Sequence, residues 1–273
     1  MRQVILITGA SSGIGKATAL QLLRERHIVY GAARRLEQMA ELEEAGGHAL
    51  EMDITDTAQI TAAVEQIIRE QGRIDVLINN AGFAVYGAVE DVPLQDARKQ
   101  FDVNLFGMAE VTRAVLPQMR EQQDGRIINV SSMGGKIYTP LGAWYHASKH
   151  AVEGWSDCLR LELKAFNIKV IVIEPGLIAT NFGDVMTGPM MRYSGEGPYA
   201  KWATAVAQTT EATYEKKGAS SPPGVVAKTI QKAIAAPKPK TRYVTGKMAR
   251  QLLLVRKFLG DRIFDKIITS QID

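Results

Sequence analysis

The strongest constraint on this chain's fold is a repeated alternation. Six short runs rich in β-branched and other apolar residues, at Val4 to Thr8, Ile28 to Ala32, Ala49 to Asp53, Val76 to Asn79, Ile127 to Val130 and Val170 to Glu174, are separated by longer stretches with helical spacing. Parallel strands need crossover connections, and helices returning over both faces bury them, so this alternation predicts an α/β fold with a doubly wound parallel sheet. Val4-Ile5-Leu6-Ile7 and Val170-Ile171-Val172-Ile173 are apolar without a break, which places those strands near the sheet centre. Between strands, Ile60, Val64, Ile67 and Ile68 recur at three- and four-residue spacing with Glu65, Arg69 and Glu70 among them, the pattern of an amphipathic crossover helix.

No linker, charge block or repeat divides the chain, so residues 1–273 are read as one domain. Composition changes after Pro175-Gly176. Residues 180–216 combine Gly183, Gly188, Gly195 and Gly197 with Met186, Met190, Met191, Tyr193, Tyr199 and Trp202, as a loop-like lid over a nonpolar ligand would; a loosely packed surface excursion is the alternative. Pro222 to Ala236 reads as a helix, Arg242 to Thr245 as a short strand, and Met248 to Ile268, within a tail spanning 247–273, as a broken helix or a helix pair. No apolar run approaches the roughly 18 residues of a transmembrane helix, and the four apolar residues after Gln3 are too few for a signal peptide. A single cysteine, Cys158, fits a reducing compartment, and a cytoplasmic location is expected. The formal net charge of +4 is spread among acids rather than gathered in a stripe, which argues against nucleic acid as a partner.

Thr8-Gly9-Ala10-Ser11-Ser12-Gly13-Ile14-Gly15 follows the first strand and opens a helix. Glycines there permit a tight turn and bring backbone N–H groups against a pyrophosphate. A triphosphate-binding loop would need Gly-x4-Gly-Lys-Ser/Thr; counting back from Gly15-Lys16 places Ala10 in the first glycine slot, and Ala17 fills the hydroxyl slot, so that reading fails. With its Thr-Gly-x3-Gly-x-Gly spacing, the chain resembles the short-chain dehydrogenase/reductase family. Further motifs carry the resemblance: Met52-Asp53-Ile54-Thr55-Asp56, Asn79-Asn80-Ala81-Gly82, Asn104, Ser132, Tyr145-x3-Lys149, and Pro175-Gly176 with Thr180. The resemblance implies a Rossmann-type fold of about seven strands and a nicotinamide cofactor. It implies contacts to that cofactor from Gly9, Ser11, Ser12, Gly13, Ile14 and Gly15, from Asp53 and Ile54 at the adenine, from Asn80, Ala81 and Gly82, from Tyr145 and Lys149, and from Pro175, Gly176, Ile178 and Thr180.

After the second strand, Gly31-Ala32-Ala33-Arg34-Arg35 carries two guanidinium groups where an NAD-preferring chain would place a carboxylate for the ribose hydroxyl. NADP(H) is therefore expected, with Arg34 the main partner of the 2′-phosphate and Arg35 assisting or stacking by the adenine. The base that many NADP-preferring family members carry in the glycine loop is replaced here by Ser12.

Tyr145 and Lys149, four residues apart at a helix start, project from one face, an arrangement that suits an acid/base pair. A nearby ammonium is expected to favour the phenolate. By resemblance, Tyr145 is the general acid in reduction and the base in oxidation, Lys149 holds the nicotinamide ribose, Ser132 bonds the substrate oxygen with Ser131 as its alternative, and Asn104 holds a water linking the lysine to solvent. Asn129-Val130-Ser131 matches a glycosylation acceptor, but a buried strand end makes it a false match. His27, His48, His146 and His150 lack ligand spacing, so no metal is expected, and Cys158 lacks the neighbours of a nucleophile.

The sequence thus points to an oxidoreductase acting on the carbonyl or alcohol of a small, lipophilic molecule; a non-catalytic NADPH sensor is the alternative. Gly134, Tyr138, Phe83, Val85, Trp144 and the lid aromatics are expected around the substrate. The family is usually a homodimer or homotetramer, and Trp155, Leu159 and Leu163 are read as an outward apolar face that permits pairing, or else as facing the sheet. The basic and apolar tail is read as packing, with a pocket cover or a membrane contact as alternatives.

Overall fold

The computed structural model describes residues 2–216 and 218–270; residues 271–273 of the expected tail lie outside the described residues. Seven strands form one sheet: β1 (Val4–Thr8), β2 (Ile28–Ala33), β3 (His48–Glu51), β4 (Val76–Asn79), β5 (Gly125–Val130), β6 (Ile168–Pro175) and β7 (Arg242–Thr245). Their order is β3-β2-β1-β4-β5-β6-β7, and every pairing is parallel. The chain steps from β1 to β2 and β3 in one direction, then returns to β4 on the other side of β1. That reversal opens a crevice beyond the carboxyl ends of β1 and β4.

Helices cover both faces, as continuous apolarity in the central strands requires. On one side lie α1 (Gly13–Arg24), α2 (Ala40–Glu44) and α9 (Gly224–Ala235), whose Leu22, Leu42 and Ile230 pack with Ile5, Ile7, Ile78, Ile128 and Ile173. On the other lie α3 (Thr57–Gln71), α4 (Leu94–Phe101), α5 (Met108–Gln122) and α6 (Ala143–Glu162), whose Ile67, Val115 and Leu159 meet Leu6, Leu77 and Ile127. Alternate residues of one strand thus feed two separate cores. Asp56 caps α3 by accepting from the N–H groups of Ala58 and Gln59.

Two expectations are corrected. Residues 180–216 are helical rather than loop-like: α7 (Phe182–Ser194) and α8 (Ala200–Glu215) form a hairpin turned at Gly195 to Tyr199, and Met186 and Met190 are buried inside it. Apolar side chains three and four residues apart gave those methionines a partner helix; Gly195 and Gly197 mark the turn, Gly183 lets Tyr214 approach, and Gly188 is simply accommodated within α7. Leu159 and Leu163 face the sheet with Trp155 packed against them, so they are not an outward face of α6. The large exposed apolar groups on this side are Leu94, Phe106 and Leu161. The last helix, α10 (Ala249–Thr269), breaks at Gly260, as the broken-helix reading of the tail expected.

A charged cluster fastens β7 to α6. Arg242 donates to Glu153 at 3.0 Å and to Asp157 at 2.7 Å and lies 3.4 Å from Glu174. Burial, with the Glu153 carboxylate beside it, pushes Glu174 up to about 7 from 4.5. The folded chain therefore holds a proton there that the unfolded chain releases earlier, so this group's contribution is fully present below 4.5 and is lost as pH rises through about 7. Glu174→Gln removes that titration: urea midpoints of the native chain should fall relative to those of the variant as pH is raised across this window, and parallel profiles would contradict the assignment.

Candidate active site

A cleft of about 1350 Å³ runs along the carboxyl edge of the sheet and continues beneath the α7–α8 hairpin. Part of its wall is built where β1 ends. Thr8, 2% exposed, uses one hydroxyl to accept from the backbone N–H groups of Asn80 and Ala81, both at 3.1 Å, and the Asn80 side-chain amide donates to the carbonyls of Thr8 and Gly9. These bonds draw the chain after β4 against the glycine turn. The approach leaves no room for side chains: a Cβ on Gly9, where φ is +69°, would sit 2.8 Å from the Ala81 Cα, and one on Gly15 would sit 2.2 Å from the Gly9 carbonyl oxygen.

Ser12 is the extended N-cap residue of α1 and makes no side-chain bond to its first turn. Ser11, Ser12, Gly13 and Ile14 line the cleft with that helix start, a positive dipole end suited to a pyrophosphate. Gly15 lies just behind them. Arg34 and Arg35 line the end of the cleft beyond β2 and are exposed. Asp53 lies opposite; its carboxylate accepts from the Thr55 N–H and hydroxyl, and these bonds with the nearby Arg34 and Lys99 charges outweigh desolvation and hold it below its ordinary range. Ile54, Ala81, Gly82, Pro175, Gly176, Ile178 and Thr180 complete the wall. The structure thus gathers the residues expected at a dinucleotide along one cleft, with Gly15 behind its wall, and a cradle that admits only glycine at two points fits that ligand. Lys99, on α4, also lines it and was not singled out from sequence, where it reads as one more solvated helix charge.

Tyr145 and Lys149 project from the first turns of α6 into the middle of the cleft, both buried. The Lys149 Nζ donates to the Val130 carbonyl at 3.0 Å. Burial lowers Lys149 to about 8, partly opposed by the Glu153 charge. Tyr145 moves the other way from the expected phenolate: desolvation pushes it up to about 12, with the Ser132 hydroxyl pulling back. Desolvation prevails over the lysine's charge, whose ammonium is bound to a carbonyl, so the phenol keeps its proton. Ser132 also accepts from the Gly134 N–H at 3.0 Å, which aims its hydroxyl region at Tyr145, whereas Ser131 packs against Gly135. Asn104 sits in a single π-helical turn, Asp102–Gly107, between α4 and α5. Its amide donates to the Phe83 carbonyl and the Ser148 hydroxyl and accepts from the Phe83 N–H, so its side chain ties α6 to the loop after β4.

His146 was given no role from sequence, yet it builds the site. It accepts from the Thr139 N–H at 3.1 Å through Nε2, so Nδ1 is the protonated nitrogen and donates to the Gly134 carbonyl at 2.9 Å. Burial lowers it to about 4, so it stays neutral and fixes the loop after Ser132. Asn129 is fully buried, bonded to Asn79 and Ser156, which disposes of the glycosylation match. Among the described residues no cluster of His, Cys, Asp or Glu has a metal-binding arrangement, and Cys158 is exposed on α6.

Beyond Tyr145 the cleft is lined mainly by apolar side chains, Phe83, Tyr86, Ile137, Phe182, Val185, Met186 and Val206, with Leu252 and Ile268 from α10 and Met248 just before it, while Thr209, Thr210, Thr213 and Tyr214 add hydroxyls from α8. Of the expected pocket residues, Phe83 and Gly134 are there. Val85 and Trp144 pack elsewhere with Val92 and Ala97, Tyr138 donates to Asp265, and Tyr193 and Tyr199 donate outward to Asp96 and Glu90. Their hydroxyls found carboxylates, an outcome that composition does not signal.

The short chain dehydrogenase family model matches residues 3–187. The 3-ketodihydrosphingosine reductase of Bacteroides thetaiotaomicron is 47% identical over 183 residues, 67% of this chain and 66% of that protein. The NADPH-dependent 3-dehydrocapnine reductase of Ornithobacterium rhinotracheale is 34% identical across 96% of this chain and 94% of its own. Among solved structures, a short-chain dehydrogenase from Streptomyces avermitilis superposes with a TM-score of 0.83 at 32% identity, covering 100% of this chain and 97% of that one.

Thr8→Val would keep the shape of the turn while orphaning two half-buried N–H donors, each worth about 1–3 kcal/mol when fully desolvated. A loss of roughly 2–4 kcal/mol in urea unfolding is expected, with Thr8→Ser close to native; a near-neutral Thr8→Val would refute the clamp.

Proposed function

Because the chain belongs to the short-chain dehydrogenase family, we propose that this oxidoreductase is an NADPH-dependent reductase of lipophilic ketones, with a 3-keto group on a long-chain amine as the substrate class. One observation carries the reading: a neutral, buried Tyr145 with Ser132 beside it stands where a polar nucleotide arm and an apolar arm of one cleft meet. The names of two relatives, each a reductase of an oxidised position 3, support the substrate class. A sensor without turnover would have no need of Ser132, Tyr145 and Lys149 together, and all three are in the cleft.

When bound, NADPH supplies the hydride. Ser11 to Gly15 would hold its pyrophosphate, Arg34 with Arg35 its 2′-phosphate, Asp53 and Ile54 its adenine, and Asn80, Gly82, Pro175, Gly176, Ile178, Thr180 and Lys149 the nicotinamide half. Ser132 donates a hydrogen bond to the ketone oxygen and orients it toward Tyr145. The phenol of Tyr145 then gives its proton to that oxygen as negative charge develops. The Lys149 ammonium, neighbouring the phenol across one helical turn, stabilises the phenolate left behind, and Asn104 positions α6 and the loop that carries Gly82 for this transfer. Apolar walls from Phe182 and Met186 exclude water from the reacting carbon.

Turnover of a 3-keto long-chain amine with NADPH and with NADH tests the reading. Tyr145→Phe should lower kcat by roughly 10²–10⁴-fold, the usual worth of a positioned acid. Loss of charge-assisted bonds in Arg34→Ala should raise KM for NADPH by roughly 10–100-fold and leave NADH nearly unaffected. Equal native activity with NADH would remove the NADP preference, and full activity in Tyr145→Phe would remove the acid. The reduction rate should hold steady through neutrality and decline above about pH 8, where Lys149 loses its proton; a profile unchanged up to the ordinary tyrosine range would argue against the lysine's part.

A further inference from the structure

The basic excess of the chain is local, and so is its exposed apolar surface. Helix α10 carries five basic side chains against two acidic ones. It also presents Leu254, Phe258, Leu259 and Ile263 at 56%, 70%, 48% and 46% exposure, the largest concentration of uncovered apolar side chains on one element among the described residues. The inner side of the same helix is firmly seated: Ala249 and Phe264 are fully buried, Tyr138 packs edge-on against Phe264, and Arg256 lies over the Tyr138 ring. The outward groups are therefore held outward by the packing of the inner ones. Gly260, with φ of 70°, bends the helix between Leu259 and Ile263. Exposed Lys257 and Arg262 flank the ridge; Asp261 is paired with Arg256, and Asp265, which accepts from the Tyr138 hydroxyl, keeps its charge, so the bases remain in excess. At its inner edge α10 contributes Leu252 and Ile268, with Met248 just before it, to the apolar arm of the cleft.

We propose that α10 docks the protein on an anionic phospholipid surface, with Leu254, Phe258, Leu259 and Ile263 in the acyl boundary and Lys257 and Arg262 at the headgroups. An apolar ridge bordered by cations is complementary to that boundary, where lipid tails meet anionic headgroups, and a neutral partner would leave the bases unused. Resting on the lipophilic-substrate reading above, the docking brings the apolar end of the cleft to the surface from which such a substrate partitions. No helix among the described residues is long and apolar enough to span a bilayer, so the contact is a surface one.

Sedimentation of the full chain with vesicles tests this without any substrate, so docking and the reductase reading can fail separately. Binding is expected to vesicles of phosphatidylcholine mixed with phosphatidylglycerol, to weaken with salt, and to be slight on phosphatidylcholine alone. Lys257→Gln with Arg262→Gln should weaken it roughly 30-fold, at about a fivefold loss for each base. Phe258→Asp with Leu254→Asp should weaken it at least about tenfold, by placing carboxylates at the acyl boundary. Both variants should reduce a water-soluble ketone at the native rate. Equal partition onto both vesicle types, no partition onto either, or native binding by the aspartate variant would overturn the proposal. So would sedimentation velocity showing that the aspartate variant splits an oligomer, since the ridge would then be covered by a second copy.

Discussion

Close backbone approach at the end of β1 is the constraint on which the rest of the site depends. The Thr8 hydroxyl and the Asn80 amide together draw the β4 loop against the glycine turn, and Gly9 and Gly15 leave the space into which it moves. Because β1 and β4 are adjacent strands at the point where the sheet reverses direction, this contact sets both walls of the crevice at once. Arg34 and Asp53 then reach one end of that crevice from the strands beyond β1, and Ser132, Tyr145 and Lys149 reach its middle from the strands and helix beyond β4.

Desolvation decides the chemistry available at that middle. It keeps the Tyr145 phenol protonated, lowers Lys149 to about 8 and leaves His146 neutral, and these three effects are mutually consistent. A proton-loaded phenol suits reduction, a lysine still cationic at neutrality suits the phenolate that follows, and a neutral imidazole can both accept from Thr139 and donate to Gly134. The same burial calls for an internal polar frame: Asn79, Asn129, Ser156 and Asn104 bond neighbouring buried side chains or the backbone, with the Asn79 Oδ1 alone of these atoms left without a partner.

Most of the sheet was legible because strand burial is written in local pattern. Val4 to Thr8 and Val76 to Asn79 are strands at the expected bounds, and β7 at Arg242 to Thr245 matches its short β-branched run. The residues expected at a dinucleotide rest on a different kind of signal: glycine spacing and two arginines are what a phosphate ligand would require locally, and the fold brings them to one cleft. Glycine and proline scattered through the α7–α8 hairpin suggest a loop, although Pro189 lies inside α7 and Gly188 meets nothing that a side chain would strike. Tyr138, Tyr193 and Tyr199 were expected at the pocket and instead bond distant carboxylates, since sequence gives an aromatic residue's chemistry but not its direction.

By itself the sequence determined the doubly wound parallel sheet and the glycine turn, and it singled out the tyrosine, lysine and serine that the cleft brings together, because each follows from residue type at short spacing. Only the tertiary structure decided the electrostatic state of that tyrosine, the part played by His146, and the direction in which Leu159 and Phe258 point. Those depend on which groups from distant segments exclude water from a given atom, and burial is a property of the whole fold that no stretch of chain carries alone.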